Sequence, residues 1–563
     1  MNDHVLQLIK SGSTHKHLCQ LEESLVCFNQ VLEIEPNNKL ALRCRGDIYR
    51  QLGKYKESVA DLSKMLELDP NNATVRSNRG AVYRELKQYT KSLLDLNKAI
   101  DDEPNNGFSL RQRGITYKEL GQYEDSLSDF NKALEINLTD ALALKYRSAI
   151  YRQLLNYQES IKDLDRALQI NPNDISALIS RGEAYKESKQ YEKSLADLNK
   201  ILNIRPNDAN IYHLRGCLNQ QLRKVEDSQR DLRRSLEIEP NNPFVLNNYA
   251  VTCSKLSLKE ESLIELNRAL ALDPNNTYIL YNRGVTYQHL NKYEESLLDL
   301  NKALETIPNN ELAVLALNAR GVCYSELGRY EESLFNFNAA LEIEPNNIIV
   351  LNHRGVIYRL LGLYQVSLKD YDKPLKINSN NIYVLNNRGI NYEDLDRHEE
   401  SLKDFNTVLE IDPSNLIALV NRGYIYGCLG RYEESLSDLN KVLEIKPNSM
   451  NALLNRGIIN QILGLYEESL KDLNNVLKTE QNNAVALSIR GVVYVKLSRK
   501  EESLADINRA LEIEPSNMKI HNICGIIYQF LGQYENSFTT FNVNRALEFN
   551  SNSVSVVYEN VSD

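Results

Sequence analysis

A chain of 563 residues, 42% apolar and 25% charged, has the composition of a soluble protein, and it has no unbroken apolar run near the roughly 20 residues that a membrane span requires. Its net charge of −10 argues against general binding to a nucleic-acid backbone, which draws on a basic surface. The eight cysteines (19, 27, 44, 217, 253, 323, 428 and 524) follow no metal-ligand spacing and read as reduced packing residues, so neither a metal nor a cofactor is expected.

The opening "MNDHVLQLIKSG" lacks the ordered basic, apolar and small-residue segments of a secretion signal, which predicts a protein kept inside the cell, in the cytoplasm or the nucleus. From residue 36 onward, prolines recur at 36, 70 and 104, then at 172, 206, 240, 274 and 308, then at 345, 413, 447 and 515, nearly all spaced by 34 residues or a multiple of it. Leu138, Ser379, Gln481 and Ser551 stand at the missing beats.

Between beats, two stretches of helical periodicity flank a turn, so each unit is predicted to be a helical hairpin. Asn71 and Asn72, after Pro70, are the expected start signal of a first helix, because asparagine caps helix N-termini well. The second helix must end before the next proline, which pushes the residue ahead of it out of the α region.

One unit spells out Gly80, Tyr83, Tyr89, Ser92, Leu96, Ala99 and Pro104, and this 34-residue pattern resembles the tetratricopeptide repeat family. The resemblance runs from about residue 5 to 551 and implies an all-α fold, an α-solenoid superhelix of about sixteen helix-turn-helix units. A 35-residue pentatricopeptide register would drift by one residue per copy, and here the phase holds. The family further implies that first helices line a concave groove, so function is expected on their residues.

Several repeated letters read as scaffold. Gly46, Gly80, Gly114 and Gly182, with Ser148 and Ala250 as small substitutes, fall at position 8 of the unit, where two helices approach closely. All sixteen units place serine at position 20, from Ser24 to Ser537, and a nucleophile would be singular rather than repeated. Arginine precedes the glycine in thirteen units and an acid stands at position 23 in thirteen, with both present in twelve. The two are absent together from the first unit (Ser11, Cys27) and the last (Cys524, Thr540), which predicts an ion pair inside each hairpin, Arg388 with Asp404 and Arg422 with Asp438 for example. Tyr249 with Glu265, in the eighth unit, breaks that rule.

Two sets of first-helix residues remain as candidate sites. At position 12, Arg50, Arg84, Lys118, Arg152 and Lys186 form a basic rail suited to acidic segments, although Glu85, Glu119 and Glu187 lie beside it. Tyr49, Tyr83 and Tyr117 near that rail occupy the packing position 11 rather than an RNA-stacking site. From the eighth unit to the fourteenth, Asn247, Asn248, Asn282, Asn318, Asn352, Asn386, Asn387, Asn421 and Asn455 stand at positions 5 and 6, where the earlier half has only Asn78. A carboxamide both donates and accepts, so such a ladder could hold the backbone of an extended peptide. It resembles the asparagine ladder in the repeats of O-linked N-acetylglucosamine transferase. The alternative role for these residues is to face water or cap a neighbouring turn. The family's carboxylate clamp for acidic C-termini is not expected, because position 9 carries Ala81, Ile115, Val285 or Ile390 instead of asparagine.

The regularity breaks twice. Three residues are added before Arg320 in "NNELAVLALNARG", and Pro374 replaces a small residue at position 27, where it should disrupt the end of its helix. Residues 1–307 are therefore read as units one to nine, 308–379 as irregular units forming a joint with altered curvature, 380–551 as units twelve to sixteen and 552–563 as a short tail. The last unit has a two-residue insertion around Val543 and no long capping helix, which predicts either fraying there or a continuation in a longer protein.

The eight histidines are scattered, and neither H-E-x-x-H nor a phosphate-binding glycine loop occurs, so no catalysis is expected. The expected function is a non-catalytic scaffold that binds other proteins through extended or helical segments, with no membrane contact, nucleic acid disfavoured and the oligomeric state left open. The alternative is the substrate-targeting part of a larger enzyme assembly such as a protein O-glycosyltransferase.

Overall fold

The computed structural model describes residues 3–18, 20–306 and 310–540; Cys19, Pro308, the insertion around Val543 and the 552–563 tail lie outside the described residues. Within them the chain is a succession of antiparallel helical hairpins with no strand. A regular hairpin has a 13-residue first helix and a 14-residue second helix, as in Ala73–Glu85 and Tyr89–Asp102.

The Asn pair works as a start signal by using both ends of one carboxamide. Asn72 Oδ1 accepts the Val75 N–H at 3.1 Å, while its Nδ2 donates to Asp69 at 3.1 Å. Asn38 and Asn347 bond Glu35 and Glu344 in the same way. One side chain thus satisfies a free helix N–H and fixes the turn before it.

From the second hairpin onward, each described turn between paired helices has one residue with left-handed backbone. Glycine supplies it at seven turns, Gly53 and Gly121 among them, but Leu155 is held at φ +58° with its side chain 72% exposed. A left-handed leucine costs about 1–2 kcal/mol, of which glycine's larger unfolded-state entropy returns roughly half. Leu155→Gly is therefore expected to raise stability by about 0.5–1 kcal/mol in urea unfolding. An unchanged or lower midpoint would show that the turn is not strained.

Helices of a hairpin meet at position 8. A Cβ on Gly355 would lie 2.6 Å from Cε1 of the fully buried Tyr371, so only glycine admits so large a ring opposite it. Beside this contact the repeated serine donates its hydroxyl to the carbonyl of the position-8 glycine. Ser58 to Gly46, Ser367 to Gly355 and Ser469 to Gly457 each measure 2.7 Å. A buried hydroxyl is costly unless paired, and this bond explains serine in place of alanine in the hairpins that make it.

The array forms two compact units, Met1–Leu272 and Asp273–Asp563. In each unit a second helix packs between two first helices, and most successive first helices also touch one another, as Lys39–Gln51 does with Ala73–Glu85 and Leu416–Cys428 with Met450–Ile462. First helices therefore line up along one side of each unit, over a core that in the second unit runs unbroken from Tyr371 to Tyr528.

The three added residues lengthen one first helix to 16 residues, Glu311–Glu326, capped by Asn310. Pro374 does not have the effect expected of it. The helix Tyr364–Ile377 keeps the regular 14 residues, and the Pro374 carbonyl accepts the Asn378 N–H at 2.8 Å. Pro374 is buried in the niche that alanine or valine fills in most other hairpins, so packing on both sides holds the helical path that proline disfavours. Among the described residues, no helix is long and apolar enough to cross a membrane.

Candidate binding face of the first helices

Arginine at position 7 does more than pair within its hairpin. Arg388, on the first helix Ile382–Glu393, donates from Nε and Nη2 to both oxygens of Asp404 at 2.8 Å. Its third nitrogen, Nη1, reaches back to Asp372 in the preceding hairpin at 2.8 Å. Arg422 likewise bonds Asp438 twice and then Asn406, and Arg45 bonds Asp61 twice and then Asn29. Each guanidinium thus ties three helices with its full fork of donors. Burial pulls the Arg388 guanidinium down, and its bonds to Asp404 and Asp372 more than offset this, so its pKa is raised overall. Arg320 has only neutral partners, Asn336 and Asn301, and burial leaves it lowered.

The tyrosine at position 11 closes the same unit of structure. Arg45, Arg79 and Arg113 lie over the Tyr49, Tyr83 and Tyr117 rings at 5.7, 5.7 and 5.9 Å, so these rings are spent on intramolecular cation–π contacts. In the eighth hairpin the arrangement is inverted. Tyr249 stands where arginine would, its hydroxyl donates to Glu261 at 2.7 Å, and Arg233 of the preceding hairpin donates to that hydroxyl at 2.8 Å. The irregular Tyr249 thus comes with a compensating arginine at position 25, where asparagine, serine or aspartate otherwise stands. That covariation is visible in the sequence, but only once position 25 is known to touch position 7 of the next hairpin.

With the repeated letters committed to the scaffold, the variable first-helix positions are left facing outward. The asparagines fall into three groups. Some bond along the face to the neighbouring hairpin: Asn387 Nδ2 to Asn352 Oδ1 at 3.0 Å, Asn248 Nδ2 to His213 Nε2 at 2.9 Å, and Asn318 Oδ1 with His353 Nδ1 at 2.9 Å. Burial lowers the pKa of both His213 and His353, which favours the neutral imidazole in these contacts. Asn386 is buried, and its Nδ2 lies 3.3 Å from the capping residue Asn415. Asn247 and Asn282 are half-buried and also have partners. Asn421 and Asn455 differ: both are half-buried, and neither side chain makes a hydrogen bond among the described residues. They occupy corresponding positions on Leu416–Cys428 and Met450–Ile462, first helices that touch.

The position-12 residues are not equivalent either. Arg84 bonds Gln112 at 2.9 Å and pairs with Glu85 and Glu119, and Arg152 pairs with Glu183 and Glu187. Arg50, Lys118 and Lys186 have no ion pair among the described residues, so the free cations alternate with neutralised ones along this face. Farther along, the same position carries Arg359, Glu393, Gly427 and Gln461. Burial pushes the Glu393 carboxyl up to about 7, with Asp394 adding to the shift and Arg359 opposing it.

Family profiles described as tetratricopeptide repeat match residues 141–174, 276–345, 112–140, 175–208, 209–242, 382–415, 416–449 and 484–517, and one described as TPR repeat matches 46–84. Together they cover more than half of the chain. Among solved structures, the Cut9–Hcn1 hetero-tetramer of the APC/C aligns at 15% identity and a TM-score of 0.41, over 80% of this chain and 96% of the other. A tetratricopeptide repeat protein from Parabacteroides merdae aligns at 24% identity and 0.35, over 45% and 99%. YrrB, described as having an unusual peptide-binding site, aligns at 22% and 0.29, over 34% and 97%. The curated proteins include no match.

Proposed function

The chain belongs to the tetratricopeptide repeat family, and from that premise we propose that it is a protein-interaction scaffold whose first-helix face binds extended segments of other proteins. The observation that supports this most is the pair Asn421 and Asn455. Among the described residues their carboxamides are unpaired on adjacent first helices, while the arginines and aspartates around them are held in scaffold bonds. Each amide offers a donor and an acceptor, which is what the N–H and C=O of an extended backbone require. The unpaired cations Arg50, Lys118 and Lys186 would add affinity for acidic stretches in the first unit.

The test is capture of a displayed library of unstructured peptides by the intact chain and by Asn421→Ala/Asn455→Ala. Peptides retained by the first and lost at least tenfold by the second, with an unchanged melting temperature, are the expected result. Equal capture would return both asparagines to the scaffold.

A further inference from the structure

Position 12 of the first helix carries a long side chain in the hairpins on either side, Glu393 and Gln461, but in the hairpin between them it is Gly427. The missing side chain leaves a hollow of ≈ 200 Å³ between Leu416–Cys428 and Met450–Ile462. Ile458, Ile459, Ile462 and Tyr424 wall it, Asn455 stands with them, and Ser435 of the second helix Tyr432–Ile445 also lines it. Ser435 departs from the hairpins beside it. Its counterparts Ser401 and Ser469 each donate to a glycine carbonyl at 2.7 Å, whereas the fully buried Ser435 Oγ, like that of Ser160 in the first unit, has no partner among the described residues. A buried, unpaired hydroxyl facing a mostly apolar hollow costs free energy that an occupant with an acceptor would recover.

Charge marks the rim. Cys428 lines the hollow, and burial is the main cause that raises its thiol pKa, with the Glu393 and Asp396 carboxylates adding to it and Lys519 opposing. The first helix Ile382–Glu393 touches Leu416–Cys428, which sets Glu393 at the position next to Gly427 along this face. Glu393 makes no ion pair among the described residues, whereas Arg359 nearby is held by Asp394 at 3.0 Å.

We infer that the hollow at Gly427 is a specificity pocket for one apolar side chain of an extended peptide, methionine or leucine, with a lysine or arginine of the same peptide on Glu393. The inference rests on the peptide-binding function proposed above and names the class of segment that binds. Methionine suits the Ser435 hydroxyl because its thioether is a weak acceptor in an otherwise apolar shape. Asn455, beside the hollow, meets the peptide backbone next to the inserted side chain. The Glu393 carboxyl, which burial holds up at about 7, ionises more readily when a cation faces it, and so favours a cation over an acidic neighbour.

The experiment pans the full chain against phage displaying random twelve-residue peptides and repeats the capture with two variants. Gly427→Gln restores the residue found at this position in the next hairpin and fills the hollow; its Cβ presses on the movable Ile459 Cδ1 at 2.8 Å. Glu393→Gln removes only the rim charge. The expected result is enrichment of methionine or leucine within three residues of lysine or arginine, at least tenfold loss of those peptides with Gly427→Gln, and loss of the basic preference alone with Glu393→Gln. Peptides captured without that pairing, or held equally by a folded Gly427→Gln, would overturn the pocket and leave the scaffold function standing. No capture by the unaltered chain would overturn both.

Discussion

Arg388→Leu is expected to destabilise the hairpin formed by residues 382–411 by about 3–5 kcal/mol, the range found when one member of a buried ion pair is removed. The side chain of Asp404 is only 4% exposed and that of Arg388 21%, so water does little to screen the charge left behind. Burial, with a smaller contribution from the Asp372 charge, pushes the Asp404 carboxyl up, and the Arg388 guanidinium works against this. The variant also strands Asp372, which Arg388 bonds in the preceding hairpin. Arg320→Leu is the control. Its partners Asn336 and Asn301 are neutral, so the loss should be about 1–2 kcal/mol. Urea unfolding checks both, and Arg388→Leu/Asp404→Leu should recover part of the single variant's loss. Equal losses at residues 388 and 320 would assign the effect to packing of the arginine stem rather than to charge.

Pro374→Ala is expected to act in the opposite direction, raising stability by about 2 kcal/mol. Proline inside a helix costs about 3 kcal/mol through its missing N–H and its clash with the carbonyl four residues earlier, and it returns up to about 1 kcal/mol by stiffening the unfolded chain. The helix Tyr364–Ile377 runs through Pro374 at full length, so alanine has a helical position ready for it. Amide exchange would show the Pro374→Ala gain as slower opening of this helix. A loss of stability on Pro374→Ala would mean that the buried ring contributes more by packing than it costs the backbone.

The sequence by itself determined what depends on local spacing. The 34-residue period, the start of most first helices at an Asn or Asp cap, and the joint loss of arginine and acid at the ends of the array are all matters of residue type at fixed intervals. Caps and turns are set by chemistry within a few residues, and an array of equal units repeats that chemistry in phase. Serine at position 20 is legible as scaffold because it is repeated, but its bond to the position-8 carbonyl is not, since two helices must first be brought together.

Tertiary packing decided the rest. The third bond of each arginine crosses to the previous hairpin, so the inversion at Arg233, Tyr249 and Glu261 makes sense only with that neighbour in place. The asparagines look alike as letters, yet Asn387 is spent on Asn352 while Asn421 and Asn455 make no hydrogen bond among the described residues, because what lies one hairpin away differs at each step. Gly427 reads as one more small residue until the helices beside it leave a hollow that only an absent side chain could open. Pro374 shows the same balance from the other side: a local preference worth a few kcal/mol gives way when buried neighbours on both faces fix the helix.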